Sequence, residues 1–379
     1  MSADSDPTLD NLDVTIELAA LREELWGLLG RYVIFPSPAA HIAVTLWIAA
    51  THAQPAWEHA ARLILKSPEK RCGKSRLLDL IEATSYRPLV TVNISPAALV
   101  RSIDAEDPPT ILVDEADSIF GSKRVAEANE DLRGILNAGH QRGRTYKRWD
   151  MRSRKVEESA TYAMAALAGI GDQPATIEDR GISISMRRRA PGEEVAPFRT
   201  RRDVGRLHEL RDRLNVSIRA RLDDLTDAIP NMPVEDRAAD TWEPLMAIAD
   251  LAGGRWPAAA QAACIEMATS ADTAAVEGSA GVKLLEGVRD AFRAGEGGFL
   301  STASLVATLR GIEDAPWCDS GLTANNLARK LAPFDIRPRP DSTGRVRGYR
   351  HEDCLDAFKR YLPDADPGWA QRIDERTRR

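Results

Sequence analysis

Cysteine is scarce in this chain of 379 residues: Cys72, Cys264, Cys318 and Cys354 lie far apart. Such spacing forms neither a disulfide framework nor a zinc site, and it fits a reducing cytoplasm. The six histidines show no metal spacing either; Pro55 interrupts any helix that would put His52 and His59 on one face. No apolar run reaches the roughly 18 residues needed to cross a bilayer. The most apolar stretch, residues 41–50, is too short, so no membrane span is expected. The acidic opening, MSADSDPTLDNLD, is not a signal peptide. A net charge of −6 argues against nucleic-acid binding over the whole surface and leaves local basic patches open.

What is present is a soluble globular composition, 43% hydrophobic and 28% charged, in a chain long enough for two or three domains. The sharpest stretch is SPEKRCGKS, residues 67–75, between an apolar strand-like run and a helix-like one. A strand-to-helix loop ending Gly-Lys-Ser suits a triphosphate, because amide N–H groups at a helix start point at phosphates and the helix dipole favours negative charge there. Lys74 is placed to reach the β- and γ-phosphates, the Ser75 hydroxyl to hold Mg²⁺, and Gly73 to let the backbone come close. The usual G-x-x-x-x-G-K-[ST] pattern is incomplete, since Pro68 takes the first glycine position.

Strand patterns recur at residues 62–66, 89–93, 110–113, 162–168 and 182–186, with helices between them, which predicts a mostly parallel α/β sheet covered on both faces. The third strand runs into Asp114 and Glu115. In such sheets ligands sit at the carboxyl ends of strands, so Asp114 is expected beside Ser75 at Mg²⁺, and Glu115 on the attacking water. Arg180 precedes the fifth strand, a position suited to a finger reaching a neighbouring subunit's phosphates; a surface ion pair with Asp179 or Glu178 is the alternative. Between residues 142 and 155 lie Arg142, Arg144, Lys147, Arg148, Arg152, Arg154 and Lys155 against one acid, Asp150, with Tyr146 and Trp149 interleaved. A hairpin of that composition can track a phosphate backbone and stack bases; the alternatives are a solvated basic loop and one that pairs with the acidic face of a neighbouring subunit.

Beyond Arg189 the strands stop. The expected organisation is an acidic tail (1–12), amino-terminal helices packed on the core (13–60), the α/β core (61–190), a helical subdomain (191–281), a three-helix and hairpin module of winged-helix type (282–363) and a charged tail (364–379). A single helix is expected over residues 203–227 and a linker over 270–281. The winged module carries a second basic set, Arg329, Lys330, Arg337, Arg339, Arg345, Arg347 and Arg350, suited to DNA or to a protein partner.

The runs FPSPAAHIAVTLWIAATHAQPAWEHAARLILKSPEKRCGKSRLLDL, ILVDEAD, LRGILNAGHQRG, DRGISISMRRR and DRAADTWEPLMAIADLAGGRWP resemble an uncharacterised family of actinobacterial phage- and plasmid-borne ATPase domains. The likeness covers most of residues 32–363. More broadly the arrangement resembles AAA+ and superfamily-3-type helicase ATPases. That resemblance implies a five-stranded P-loop core with a helical lid, ring assembly and ATP with Mg²⁺. It puts Pro68, Glu69, Lys70, Arg71, Cys72, Gly73, Lys74, Ser75 and Arg76 around the nucleotide as Walker A, and Asp114 and Glu115 at Walker B. It makes Arg180 the arginine finger, and the basic hairpin the DNA contact. Asp172 falls near the first-sensor position, where Asn or Thr is usual, and Arg237 near the second sensor.

The expected activity is Mg-ATP hydrolysis coupled to DNA, most simply single-stranded, by a ring helicase or loader, a hexamer by the resemblance, in replication of a mobile element. A primase or replication initiator is the expected partner, and the cytoplasm the expected compartment. Two alternatives are an ATP-switched, non-translocating DNA-binding regulator and an ATPase that remodels protein partners.

Overall fold

The computed structural model describes residues 7–92, 94–120, 129–151, 154–171, 173–278, 280–295, 298–312, 315, 317, 321–341 and 343–362. They form two compact units, divided between Thr269 and Ser270.

The first unit is built on five parallel strands. These are β1 (Arg62–Ser67), β2 (Pro88–Thr91), β3 (Thr110–Val113), β6 (Ala165–Ile170) and β7 (Gly181–Ser185), in the order β2-β3-β6-β1-β7. The central strands read as unbroken apolar runs because both faces are covered. Leu63 and Leu65 join the core on one face and Ile64 the core on the other. The first face is covered by α1 (Pro7–Tyr32), α2 (Pro38–Thr51), α3 (Lys74–Thr84) and later helices. The second is covered by α4 (Pro96–Ser102) and α5 (Glu130–Ala138). Each such buried Leu or Ile contributes about 1.5–3 kcal/mol. Between β3 and β6 the chain makes an antiparallel hairpin, β4 (Thr145–Asp150) and β5 (Lys155–Ala160), which forms a sheet of its own.

The order places a crossover at β1, whose neighbours β6 and β7 both come later in the chain. The loop after β1 therefore opens at the carboxyl edge of the sheet beside the ends of β6 and β7, where α/β folds leave a crevice.

The link between α1 and α2 is held by a ring stack. His41 lies between Trp26 and Phe35, with centroids at 4.8 and 4.1 Å, and its Nε2 meets the Trp26 carbonyl oxygen at 2.9 Å. Arg255 caps the Trp26 ring and is paired with Glu23. Gly30 is required here, since a Cβ on it would stand 2.9 Å from the His41 ring. The stack fixes Tyr32, Val33 and Ile34 as one wall of the cleft described below.

Helices α6 (Thr200–Arg219) and α7 (Asp236–Ala252) complete the unit, followed by α8 (Trp256–Gly278). The single helix expected over 203–227 ends at Arg219, and a short turn of helix resumes at Leu222. The expected linker is helical through Gly278: residues poor in large apolar side chains but rich in alanine are strong helix formers. Helix α1 likewise begins at Pro7, inside the expected tail, with proline at a position where its missing N–H costs nothing.

The second unit contains α9 (Ala280–Ala294), β8 (Phe299–Ser301), α10 (Thr302–Arg310), α11 (Ala324–Leu331), β9 (Arg339–Pro340), β10 (Arg347–Arg350) and α12 (His351–Tyr361). Its sheet is antiparallel, in the order β8-β10-β9. Phe292, Leu305, Leu327, Tyr349 and Phe358 meet in its core. Strand β8 has no counterpart in the sequence reading. The first strand of the expected hairpin is only Arg339–Pro340, because Pro338 and Pro340 have no N–H to donate. No helix among the described residues is long and apolar enough to cross a membrane.

Candidate functional site

The loop from Pro68 to Gly73 leaves β1 and turns directly into α3. Two of its residues, Arg71 (φ 66°) and Gly73 (φ 87°), are left-handed; glycine adopts this at no steric cost. Among the described residues, the main-chain N–H groups of residues 69–76 have no acceptor. A helix start with that many unmet donors beside a crevice is an anion cradle.

The crevice is a cleft of about 900 Å³. On one side are Lys70 to Arg76 of the loop and helix; opposite are Asp114, Glu115 and Asp117 at the end of β3. The apolar wall is Tyr32, Val33 and Ile34 together with Ala196, Pro197 and Phe198. Tyr32 and Phe198 meet edge to face at 5.1 Å, and the Arg76 guanidinium lies over the Phe198 ring at 4.7 Å. Cationic and amide donors at one end and an apolar slot at the other suit a phosphorylated ligand with a flat hydrophobic end.

Lys74 is half-buried and donates to the Ser67 hydroxyl. Burial pulls its ammonium below the usual lysine value, while Cys72, Asp117 and Asp114 act the other way. Ser75 is exposed in the cleft. Asp114 is fixed at the strand end by its N–H donating to Thr91 O, 3.0 Å, and its carboxylate accepts from the Glu115 N–H, 2.9 Å. Glu115 has φ 55°, a left-handed conformation uncommon for a residue with a side chain. Glu115 is exposed and lines the cleft. Asp117, absent from the sequence reading, accepts from Ile170 N–H at 3.0 Å and ties the end of β3 to the end of β6. The donor set of one hydroxyl and one carboxylate fits Mg²⁺, which keeps most of its shell as water and substrate phosphate.

Other expected site residues lie elsewhere. Pro68 and Glu69 are exposed outside the cleft, Glu69 paired with Arg188 at 2.7 Å. Arg180 sits at the amino end of β7, where Gly181 pairs with Arg62. That is the far edge of the sheet from Lys74, roughly 17 Å along β1 at about 3.3 Å per residue. Its guanidinium donates to the Thr176 carbonyl. Arg237 is outside the cleft and ion-paired with Asp179, next to Arg180. Asp172 and Arg152 lie outside the described residues. Two arginines that the sequence reading passed over, Arg187 and Arg189, do line the cleft. Their only signal was the run MRRR at the end of the fifth strand.

The hairpin β4–β5 has two different faces, set by the alternation of strand side chains. Tyr146 and Arg148, with their cross-strand partners Ser159 and Glu157, turn toward Pro96, Val100 and Arg101 across a small cleft of about 350 Å³. The other face carries Lys147, paired with Glu158 at 2.9 Å, and the cross-strand pair Trp149 and Val156, each 55% exposed. Arg154 and Lys155 are exposed at the turn, and Arg144 near the base donates to the Gln141 side chain. Arg142 is unavailable to a ligand. It donates to the Gln54 and Trp57 carbonyls at 2.7 and 3.0 Å and lies over the Tyr162 ring at 4.1 Å. In the second unit Arg337, Arg339 and Arg350 are each paired with a carboxylate. Arg329, Arg345 and Arg347 are exposed and Lys330 half-buried; none of the four has an ion pair among the described residues.

Fold and site together define an α/β protein with a parallel five-stranded sheet and an anion-type cradle at its carboxyl edge. Residues 185–361 match the family described as "Protein of unknown function (DUF3631)". The "Uncharacterized 28.9 kDa protein in xis 5'region" of Saccharopolyspora erythraea is 46% identical over 188 residues, which cover 48% of this chain and 70% of that protein. The chain belongs to the family of that protein. A solved structure, "The A form apo structure of NrS-1 C terminal region-CTR", aligns over 85% of this chain and 78% of its own, with 11% identity and a TM-score of 0.36. A likeness of that size fixes neither fold nor function.

Proposed function

We propose that this protein is a P-loop ATPase of AAA+ type. It binds ATP with Mg²⁺ at the carboxyl edge of the sheet and hydrolyses it in a cycle coupled to DNA. The reading is carried by one observation: the unmet amide donors of residues 69–76 open into the cleft that also holds Lys74, Ser75, Asp114 and Glu115. In this reading the amides and Lys74 hold phosphates, Ser75 and Asp114 hold Mg²⁺, and Glu115 takes a proton from the attacking water. Mg²⁺ supplies charge neutralisation on the phosphates.

Arg180, on the opposite edge, reaches such a site only in a neighbouring copy, so the arginine-finger reading requires a homo-oligomer. Lys147, Trp149, Arg154 and Lys155 form the DNA-facing set of the hairpin, and Arg329, Lys330, Arg345 and Arg347 that of a winged-helix unit. We read the whole as a replication ATPase, a ring helicase or loader. The mobile-element setting rests on the sequence resemblance and on the relative's position 5′ of xis.

The test is the rate of phosphate release from Mg-ATP with and without single-stranded DNA. The rate is expected to rise with DNA and to vanish in Lys74→Ala; unchanged hydrolysis in that variant would sink the site assignment.

A second reading is a nucleotide switch that binds DNA without translocating. Strand β6 ends Gly169-Ile170 and is followed by Gly171, with no Asn or Thr to sense a terminal phosphate. Duplex binding without strand displacement separates this reading from the first.

A further inference from the structure

Strand β7 leaves the sheet against the phosphate-type loop. The Met186 N–H donates to Lys66 O at 2.7 Å, and Met186 Cε lies 3.4 Å from where a Cβ on Gly73 would stand. Three arginines follow. Arg188 is tied to Glu69 of the loop. Arg187 and Arg189, two apart and both exposed, line the cleft with Lys74, Asp114 and Glu115. Among the described residues neither has a carboxylate within ion-pair distance. In the next helix Arg202, Arg206, Arg211, Arg213 and Arg219 each meet one, whereas Arg201, among the described residues, does not. The Arg187 and Arg189 guanidinium groups share the cleft with the Lys74 ammonium and with the carboxylates of Asp114 and Glu115, and with no ion pair of their own among the described residues they are open to an anionic ligand there.

We propose that Arg187 and Arg189 contact the terminal phosphate of the triphosphate bound in their own subunit. They thereby distinguish ATP from ADP. The guanidinium fork suits this, because it meets phosphate oxygens two at a time. The assignment fills a role that Arg237, held by Asp179 outside the cleft, does not take within its own subunit. It rests on the nucleotide reading of the same cleft.

The experiment is equilibrium binding of fluorescent, non-hydrolysable ATP and of fluorescent ADP, with Mg²⁺. The proteins are the parent, Arg187→Ala, Arg189→Ala, the double alanine and double lysine variants, and Lys74→Ala. Loss of charge-assisted hydrogen bonds is expected to weaken ATP binding about 10- to 100-fold in the double alanine variant. ADP binding should change less than about threefold, and the lysine pair should recover part of the difference because charge remains. Equal losses for both nucleotides, or no loss, overturn the proposal. If the parent binds ATP and Lys74→Ala does not while the arginine variants keep the parent's ATP-to-ADP ratio, this inference alone fails. If the parent binds neither nucleotide, the nucleotide reading fails with it.

Discussion

Glu115 shows how the site is held at the level of single residues. A left-handed backbone at a residue with a Cβ costs about 1–2 kcal/mol, and it persists because its neighbours fix it. The Ser118 N–H donates to Glu115 O at 2.7 Å, and the Ala116 N–H to Ala168 O at 2.8 Å. Strain of this kind gathers where chemistry needs a side chain aimed. Replacing Glu115 by glutamine keeps the shape and removes the carboxylate that the proposed function uses as base. Turnover is expected to fall at least about 100-fold, with ATP affinity within a few fold, as read by phosphate release and equilibrium binding. Gly73→Ala acts differently: the added methyl meets Met186 only at ordinary van der Waals distance, but the φ of 87° is strained for alanine. A loss of about 1–2 kcal/mol in urea unfolding is expected.

The hairpin is the element whose parts separate most cleanly. Its root is anchored by Arg142, and its outward face exposes Trp149 beside Val156. Their cross-strand contact stabilises the hairpin by about 0.2–1 kcal/mol, and their exposure leaves the indole face open to the base stacking that the proposed function calls for. Trp149→Ala is expected to weaken single-strand binding by about 1–3 kcal/mol with little change in the slope of log K against log salt. Arg154→Ala with Lys155→Ala should instead reduce that slope by about 0.7 for each phosphate no longer neutralised. Arg142→Ala should leave the slope alone and lower thermal stability, because the Gln54 and Trp57 carbonyls lose a charged donor and keep the Tyr162 hydroxyl, while Tyr162 loses the guanidinium over its ring. A salt slope that falls in Arg142→Ala would contradict the assignment of roles along this ribbon.

Across the whole molecule, three of the buried histidines, His41, His52 and His140, contribute to the response to acid. Burial pushes His41 and His52 down to about 4, and burial together with the Arg62 charge pushes His140 down to about 3. In the unfolded chain all three titrate near 6.5. The unfolded state therefore takes up protons first as pH falls. Stability is full above about pH 6.5 and is lost progressively from there toward pH 4. At pH 5 each histidine lowers stability by at most about 2 kcal/mol. Urea midpoints at pH 7.5 and pH 5.0 check this; equal midpoints would show that these rings are not held neutral in the fold.

Much of this was already legible in the chain. Apolar runs bounded by turn residues marked the strands, as at Thr110–Val113, and Gly73-Lys74-Ser75 and Asp114-Glu115 announced a crevice at their ends. Those are local signals, written in periodicity and in residues whose backbone preferences act at short range. Strand β8 was too short and the residues after Thr269 too poor in large side chains for such signals to work. Which cations are free was decided only in three dimensions. Arg142 is tied to the 54–57 turn and Arg237 to Asp179, while Arg187 and Arg189 open into the cleft of Lys74. Charge spacing along a chain cannot distinguish these cases, because a guanidinium is held or released by carbonyls and carboxylates brought to it from distant parts of the sequence by the packing of the sheet and its helices.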